Sequence, residues 1–245
     1  MRQSVLGALG IAIFLALWEI VGRTGILGIS WPPLSDVLEM LLEPGRQPLF
    51  QRAIGATLES TALGYLWGTG AGLVLAAAAH LLPPLRRGSD RLAAVLNSVP
   101  SIALGPIFLV VLSRDGTPAA VSSIHVFFIV FVSVSSGLQR ATPAHRDLFA
   151  VLGADRVKRF GRLELPAALP ALVSGLRLAW PAALIGAIIG EWFGAPRGIG
   201  ILIINAMQNF QIVLLWCAVL LAMAASLVFY GLLTLLERAA YARFG

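Results

Sequence analysis

Six ionisable side chains crowd into ten residues of this chain: Asp155, Arg156, Lys158, Arg159, Arg162 and Glu164. Their spacing suits charge pairing. Asp155 and Arg159 stand four apart, a pair worth about 0.3 kcal/mol on a helix, and the basic remainder could face a partner. The residues for other chemistry are missing. There is no Gly-x-Ser-x-Gly elbow, no His-Glu-x-x-His and no carboxylate cluster. Cys217 is the single cysteine, so neither an intrachain disulfide nor a cysteine metal site can form. The GTGAG of residues 68–72 departs from Gly-x-Gly-x-x-Gly and lies inside an apolar run. The only lysine, Lys158, stands in RVKRF and not in the Gly-Lys-Ser/Thr of a phosphate loop. No catalytic residue, metal ligand or cofactor is expected on this chain. Uphill work would draw its energy from a partner or an ion gradient.

The remaining ionisable residues of interest lie in apolar runs, where a charge is costly and often functional. Glu19 and Glu59 stand near the ends of such runs and read as interfacial. His125 is nearer mid-run and reads first as a packing histidine. Arg177 reads as an arginine snorkelling to the surface. Glu191 follows Gly190 in GEWFGAPRGIG, where structural and pathway roles stand level.

The elements that must position these residues are dictated by composition. The 245 residues are 58% apolar and 12% charged, with mean hydropathy +0.86. Soluble domains carry about 25% charged residues, so the natural solvent here is lipid. The net charge of +6 does not point to nucleic acid, because the arginines fall at the ends of apolar runs and not in one patch. About 20 apolar residues cross the hydrocarbon core. Six stretches qualify: 4–21, 56–79, 92–112, 117–137, 171–190 and 212–236. The first is read as a retained helix and not as a cleaved leader. The third is interrupted by Asn97, Ser98, Pro100, Ser101 and Pro106. Placing both termini in the cytoplasm puts twelve Arg or Lys inside and five outside, which fits the positive-inside rule. One all-α domain over 1–245 is expected. A short external helix over 35–42 is expected too, with Ser35 as its cap.

Glycines at 64, 68 and 72 share one helical face, and Gly186 and Gly190 repeat the spacing. Small residues so placed let helix backbones approach, and intramolecular packing is the expected use.

The charged stretch therefore falls in a cytoplasmic loop between the fourth and fifth spans. Residues 144–152 predict a short helix, Gly153 a bend, and residues 154–165 a second short helix that Pro166 ends. Pro170 then lets the next span begin. Val157, Phe160 and Glu164 share one face of that second helix. Exposed Val157 and Phe160 beside a glycine bend suit a groove on another protein.

This loop resembles the EAA loop of permease subunits in bacterial ATP-binding-cassette importers, Glu-Ala-Ala-x3-Gly-x9-Ile-x-Leu-Pro. Gly153 matches the glycine, and Leu165 and Pro166 match the Leu-Pro. Asp147 stands at the glutamate position, Leu148 and Phe149 replace the two alanines, and Leu163 stands for the isoleucine. WPPLSDV (31–37), NSVPSIALGPIFLV (97–110) and GEWFGAPRGIGILI (190–203) resemble segments of the sulfonate, nitrate and taurine type of permease. The resemblance implies an all-α membrane protein of six transmembrane helices, with the type I importer permease fold and both termini cytoplasmic. It implies a bacterial inner-membrane protein working with two ATPase subunits, a second permease copy or homologue, and an extracytoplasmic substrate-binding protein. ATP and Mg would sit on the ATPase.

The same resemblance makes residues 144–166 the ATPase-coupling loop, with Asp147, Ala150, Gly153, Ala154, Arg156, Val157, Phe160 and Pro166 as its coupling residues. Pro100, Pro106 and Pro181 are expected bending points. Asn97, Ser98, Ser101, His125, Glu191, Asn205, Gln208 and Asn209 are candidate pathway residues. The implied cargo is a sulfonate, taurine, nitrate or bicarbonate, a pyrimidine vitamin precursor or riboflavin. The alternatives are an ion-driven secondary transporter, which only His125 favours, and a non-transporting membrane scaffold.

Overall fold

The structure, a computed structural model, describes residues 2–244 and is helical throughout its long elements. The side chains of Arg2 and Arg243, which carry part of the expected orientation, lie outside what it describes. The helices are α1 (Arg2–Thr24), α2 (Leu34–Leu42), α3 (Gln47–Leu81), α4 (Pro83–Ser98), α5 (Ser101–Gly137), α6 (Pro143–Val151), α7 (Arg156–Arg159), α8 (Leu165–Glu191), α9 (Ile199–Gln208) and α10 (Ile212–Phe244). Among the described residues, five runs are long and apolar enough to cross a membrane: Val5–Thr24, Pro44–Leu81, Ser101–Gly137, Arg156–Glu191 and Ile212–Arg238. The apolar helix α9 is shorter.

The expected third span, 92–112, is divided. Its first part belongs to α4, an amphipathic helix that carries Arg86, Arg87 and Arg91 and buries Ser89 and Ala93. Val99 and Pro100 are extended, with ψ of 124° and 120°, and α5 starts at Ser101. The helical path is broken again at Ser113, where φ is 74° and ψ is 175°. That break separates residues 101–112 from 114–137. Such a conformation costs a non-glycine residue about 1–3 kcal/mol and persists where surrounding contacts determine it. Here the Thr117 hydroxyl donates to the Ser113 carbonyl at 2.7 Å. Pro106, Pro118, Pro170 and Pro181 all lie inside long helices, so Pro170 does not mark the start of a span.

The glycine faces do pack helices together. Gly64, Gly68 and Gly72 of α3 are buried against Ser122, Val126 and Val130 of α5. A methyl at Gly190 of α8 would stand 2.5 Å from Pro118 Cα, and one at Gly186 would stand 2.7 Å from Ser122 Cα. The second half of α5 is thus gripped between α3 and α8. Val126, Phe127, Val130, Phe131 and Val134 supply the core of this sandwich.

A second core joins Val37 of α2, Phe50 and Ala53 of α3, Ile199 and Leu202 of α9 and Cys217 of α10. Beside it three indoles meet: Trp18, Trp31 and Trp216, with centroids 4.8–5.1 Å apart. The Trp18 and Trp216 N–H groups donate to the Pro32 and Ser30 carbonyls, whereas the buried Trp31 N–H has no partner among the described residues. The expected helix at 35–42 is α2, yet Ser35 is not its cap. The Glu19 carboxylate of α1 accepts from both the Ser35 N–H (3.0 Å) and its hydroxyl (2.9 Å). A carboxylate there complements the positive end of the helix.

Candidate functional site

The loop between α5 and α8 is built by local capping. The Thr142 hydroxyl accepts from His145 N–H at the start of α6. At its end Gly153 takes φ +68°. Gly153 N–H then reaches the Ala150 carbonyl (3.0 Å) and Ala154 N–H the Phe149 carbonyl (2.9 Å). This is the Schellman arrangement, and only glycine enters it without strain. The expected bend at Gly153 is therefore present. Asp155 then caps α7 by accepting from Lys158 N–H at 2.7 Å.

Three local expectations are corrected here. Asp155 spends its carboxylate on the cap, and Arg159 pairs with Glu164 instead. The second helix is not regular over 154–165; four residues of α7 pass into a wide π turn, Phe160–Glu164, where Leu165 N–H reaches the Phe160 carbonyl. Pro166 does not end a helix, for it lies in the first turn of α8, where its missing N–H is tolerated.

The loop exposes apolar surface. Leu148, Val151, Leu152 and Val157 are 53%, 85%, 72% and 69% exposed. Asp147, Ala150 and Arg156 are exposed beside them, and Ala154 is half-buried. Phe160 differs from expectation. It is half-buried, packs on the core, and lies 5.9 Å from the His80 ring. Leu148, Val151 and Leu152, apolar members of the first short helix, take its place on the open face.

Glu164 is the feature the sequence reading missed. It is 2% exposed and precedes α8 directly. His80, at the end of α3, lies 2.7 Å away. Arg159 of α7 and Arg146 of α6 stand at 3.2 and 3.5 Å, as charge contacts and not aligned hydrogen bonds. Arg146 also donates to the Leu138 carbonyl at the end of α5 (3.2 Å). A cavity of about 190 Å³ opens here, lined by His80, Arg86, Asp90, Arg146, Arg156 and Glu164 among others. The signal was a carboxylate sharing a helix face with Val157 and Phe160, a position a solvated glutamate would avoid.

Glu191 closes the opposite end of α8. It is 1% exposed. Its Oε1 accepts from the Thr57 hydroxyl of α3 (2.7 Å), and its Oε2 from Gly200 N–H (2.6 Å). The Thr57 oxygen in turn accepts from Ile199 N–H at 2.7 Å. Two side chains from other helices thus satisfy the free N–H groups that begin α9.

The remaining candidates are scattered. Asn97 and Ser98 are exposed at the end of α4, with Ser101 half-buried just beyond. Asn205, Gln208 and Asn209 are exposed at the end of α9. No hydrogen bond among the described residues joins these two groups. His125 is half-buried against Gly186 of α8, and its hydrogen bond stays within its own helix, at the Val121 carbonyl (3.2 Å). Arg177 pairs with Glu237 of α10 at 2.5 Å and lies over the Tyr230 ring. Ser174 donates to the same carboxylate at 2.6 Å.

Apolar helices of crossing length and glycine-faced packing define a multi-pass membrane protein. The chain belongs to the binding-protein-dependent transport system inner membrane component family, whose model matches residues 68–240. It is similar to the formylaminopyrimidine transport permease protein ThiX of Halalkalibacterium halodurans, 29% identical and covering 85% of this chain and 84% of that one. It is also similar to the taurine transport system permease protein TauC of Escherichia coli, 26% identical over 97% of this chain and 89% of that one. In fold it matches a chain of the inward-facing MetNI methionine ABC transporter, with TM-score 0.72 at 16% identity, over 81% of this chain and 99% of that chain. The fold is that of a type I importer permease, and the chain is the membrane permease component of an ABC importer for small solutes.

Proposed function

We propose that residues 143–164 dock this permease onto an ATP-binding-cassette ATPase, and that ATP-driven closure of the ATPase moves the loop and the spans behind it. The observation that carries this reading is the exposed quartet Leu148, Val151, Leu152 and Val157 on a basic loop at the entry to α8. Apolar side chains with these exposures suit a groove on a partner. ATP and Mg are bound by that partner. The loop is cytoplasmic in this reading, with both termini on the same side. A second permease completes the solute path, and an external binding protein delivers the solute. The relatives' names support a small solute of the sulfonate, taurine or nitrate kind, or a pyrimidine vitamin precursor. In the bound arrangement the motor biases two states of the membrane helices, and the loop is the part that feels the bias.

The test is to purify the tagged chain in mild detergent and identify co-purified subunits by mass spectrometry. An ATP-binding-cassette ATPase should accompany the full chain and be lost on deleting residues 153–160. Equal capture by the deletion variant overturns the docking reading.

A further inference from the structure

We propose that Glu164 is a positioning residue for transport: it fastens the docking loop to α3, so that a movement of the loop carries α3 together with α8. The inference rests on the docking reading above and adds where the movement goes. Covalent continuity joins α7 to α6 on one side and, through the π turn, to α8 on the other. Nothing in the chain path ties the loop to α3, whose last residues lie more than sixty positions earlier.

Glu164 makes that tie. Its buried carboxylate faces His80 of α3, Arg146 of α6 and Arg159 of α7 at once. The π turn is what allows a second point of attachment. It starts at Phe160, whose ring lies 5.9 Å from the same His80, and ends at Glu164. His80 is therefore held by a ring contact and a hydrogen bond from one short segment. Beyond it, α3 and α8 are joined twice more. The Tyr65 hydroxyl donates to the Leu176 carbonyl at 3.0 Å, and Thr57 donates to Glu191. A displacement entering at α7 thus meets α3 and α8 as one packed unit, with Glu164 the link nearest the motor. Packed elements shift between discrete arrangements and do not deform continuously, so the Glu164 link sets whether the end of α3 nearest the loop moves with it.

The experiment reads the distance between spin labels at Leu82, beside His80, and Arg162, in the π turn. It uses the complete permease–ATPase complex with Cys217→Ala, without nucleotide and with a non-hydrolysable ATP analogue and Mg. With Glu164 present, the distance stays the same in both conditions because the two sites move together. In Glu164→Gln, which keeps the side chain's size but loses the charge contacts, nucleotide shifts and broadens the distance. His80→Leu, which cuts the tie from the α3 side and leaves the loop's own pairs, gives the same shift. ATP hydrolysis continues in His80→Leu, because residue 80 lies outside the docking loop and the exposed quartet is untouched. Nucleotide-independent distances in both variants, matching the parent, overturn the inference and make Glu164 a fold element of the loop alone. If Glu164→Gln does not assemble, His80→Leu decides the matter by the same two outcomes. A parent chain that captures no ATPase fails earlier, and that failure belongs to the docking reading.

Discussion

The Thr57 hydroxyl donates to Glu191 Oε1 at 2.7 Å across 134 positions of sequence, and the same oxygen accepts from Ile199 N–H. One threonine therefore joins α3, α8 and α9 at the end remote from the docking loop. Thr57→Val keeps the volume but leaves Ile199 N–H and one Glu191 oxygen without partners. A buried group left unpaired costs about 1–3 kcal/mol. The midpoint of thermal unfolding in detergent should fall clearly. Thr57→Ser, which restores the hydroxyl, should recover most of the loss. An unchanged midpoint for Thr57→Val would mean that these bonds contribute nothing.

Glycines of α3 divide by what faces them. A methyl at Gly68 would stand 2.7 Å from Val126 Cβ and 3.0 Å from Phe127 N, whereas Gly70 has nothing within 4 Å. Gly68→Ala should lower stability by about 1–3 kcal/mol, the cost of overpacking a close contact. Gly70→Ala should be neutral or stabilising, since alanine favours a helix by about 1 kcal/mol over glycine. Comparing the folded fraction of the two variants by size exclusion after heating separates packing from propensity. Equal behaviour would contradict the sandwich around α5.

Gly153 also has nothing within 4 Å, yet its φ is +68°. The penalty there is conformational and not steric. Gly153→Val should disorder the loop and uncouple it from the ATPase, while Gly153→Asn should retain capture, because asparagine enters this region at lower cost. The check is ATPase capture and hydrolysis by each purified complex. Capture by the valine variant equal to the parent would remove the glycine turn from the account.

Arg177 and Glu237 form one unit with Ser174 between α8 and α10. Removing one partner of a buried pair costs about 3–5 kcal/mol, more than replacing both by apolar residues. Arg177→Met should therefore be worse than Arg177→Met with Glu237→Met. A double-mutant cycle on the unfolding midpoint measures the coupling. Strict additivity would show that the pair does not act as a unit.

What could be read from the chain alone was what depends on neighbours in sequence. The apolar runs, the glycine faces and the bend at Gly153 each follow from local spacing. Contacts between distant residues gave no such signal. His80 and Glu164 are 84 positions apart, and Arg177 and Glu237 lie on different helices. In both cases the partners meet only in the fold, where each pair is largely enclosed. Phe160 was misplaced because a regular helix was assumed where a π turn rotates the ring inward. Ser113 carries no local mark of its φ of 74°, since serine enters many turns and the break depends on what packs around it.

The central claim is that the open face of the loop is where the ATPase binds. The direct measurement is the stoichiometry of ATPase to permease in purified complexes of the parent and of Leu152→Asp with Val157→Asp. Both side chains are exposed, at 72% and 69%, so the fold should be unaffected and the unfolding midpoint unchanged. The account predicts that the parent carries ATPase and that the double variant carries none. A double variant that retains the parent's stoichiometry and hydrolysis would contradict it.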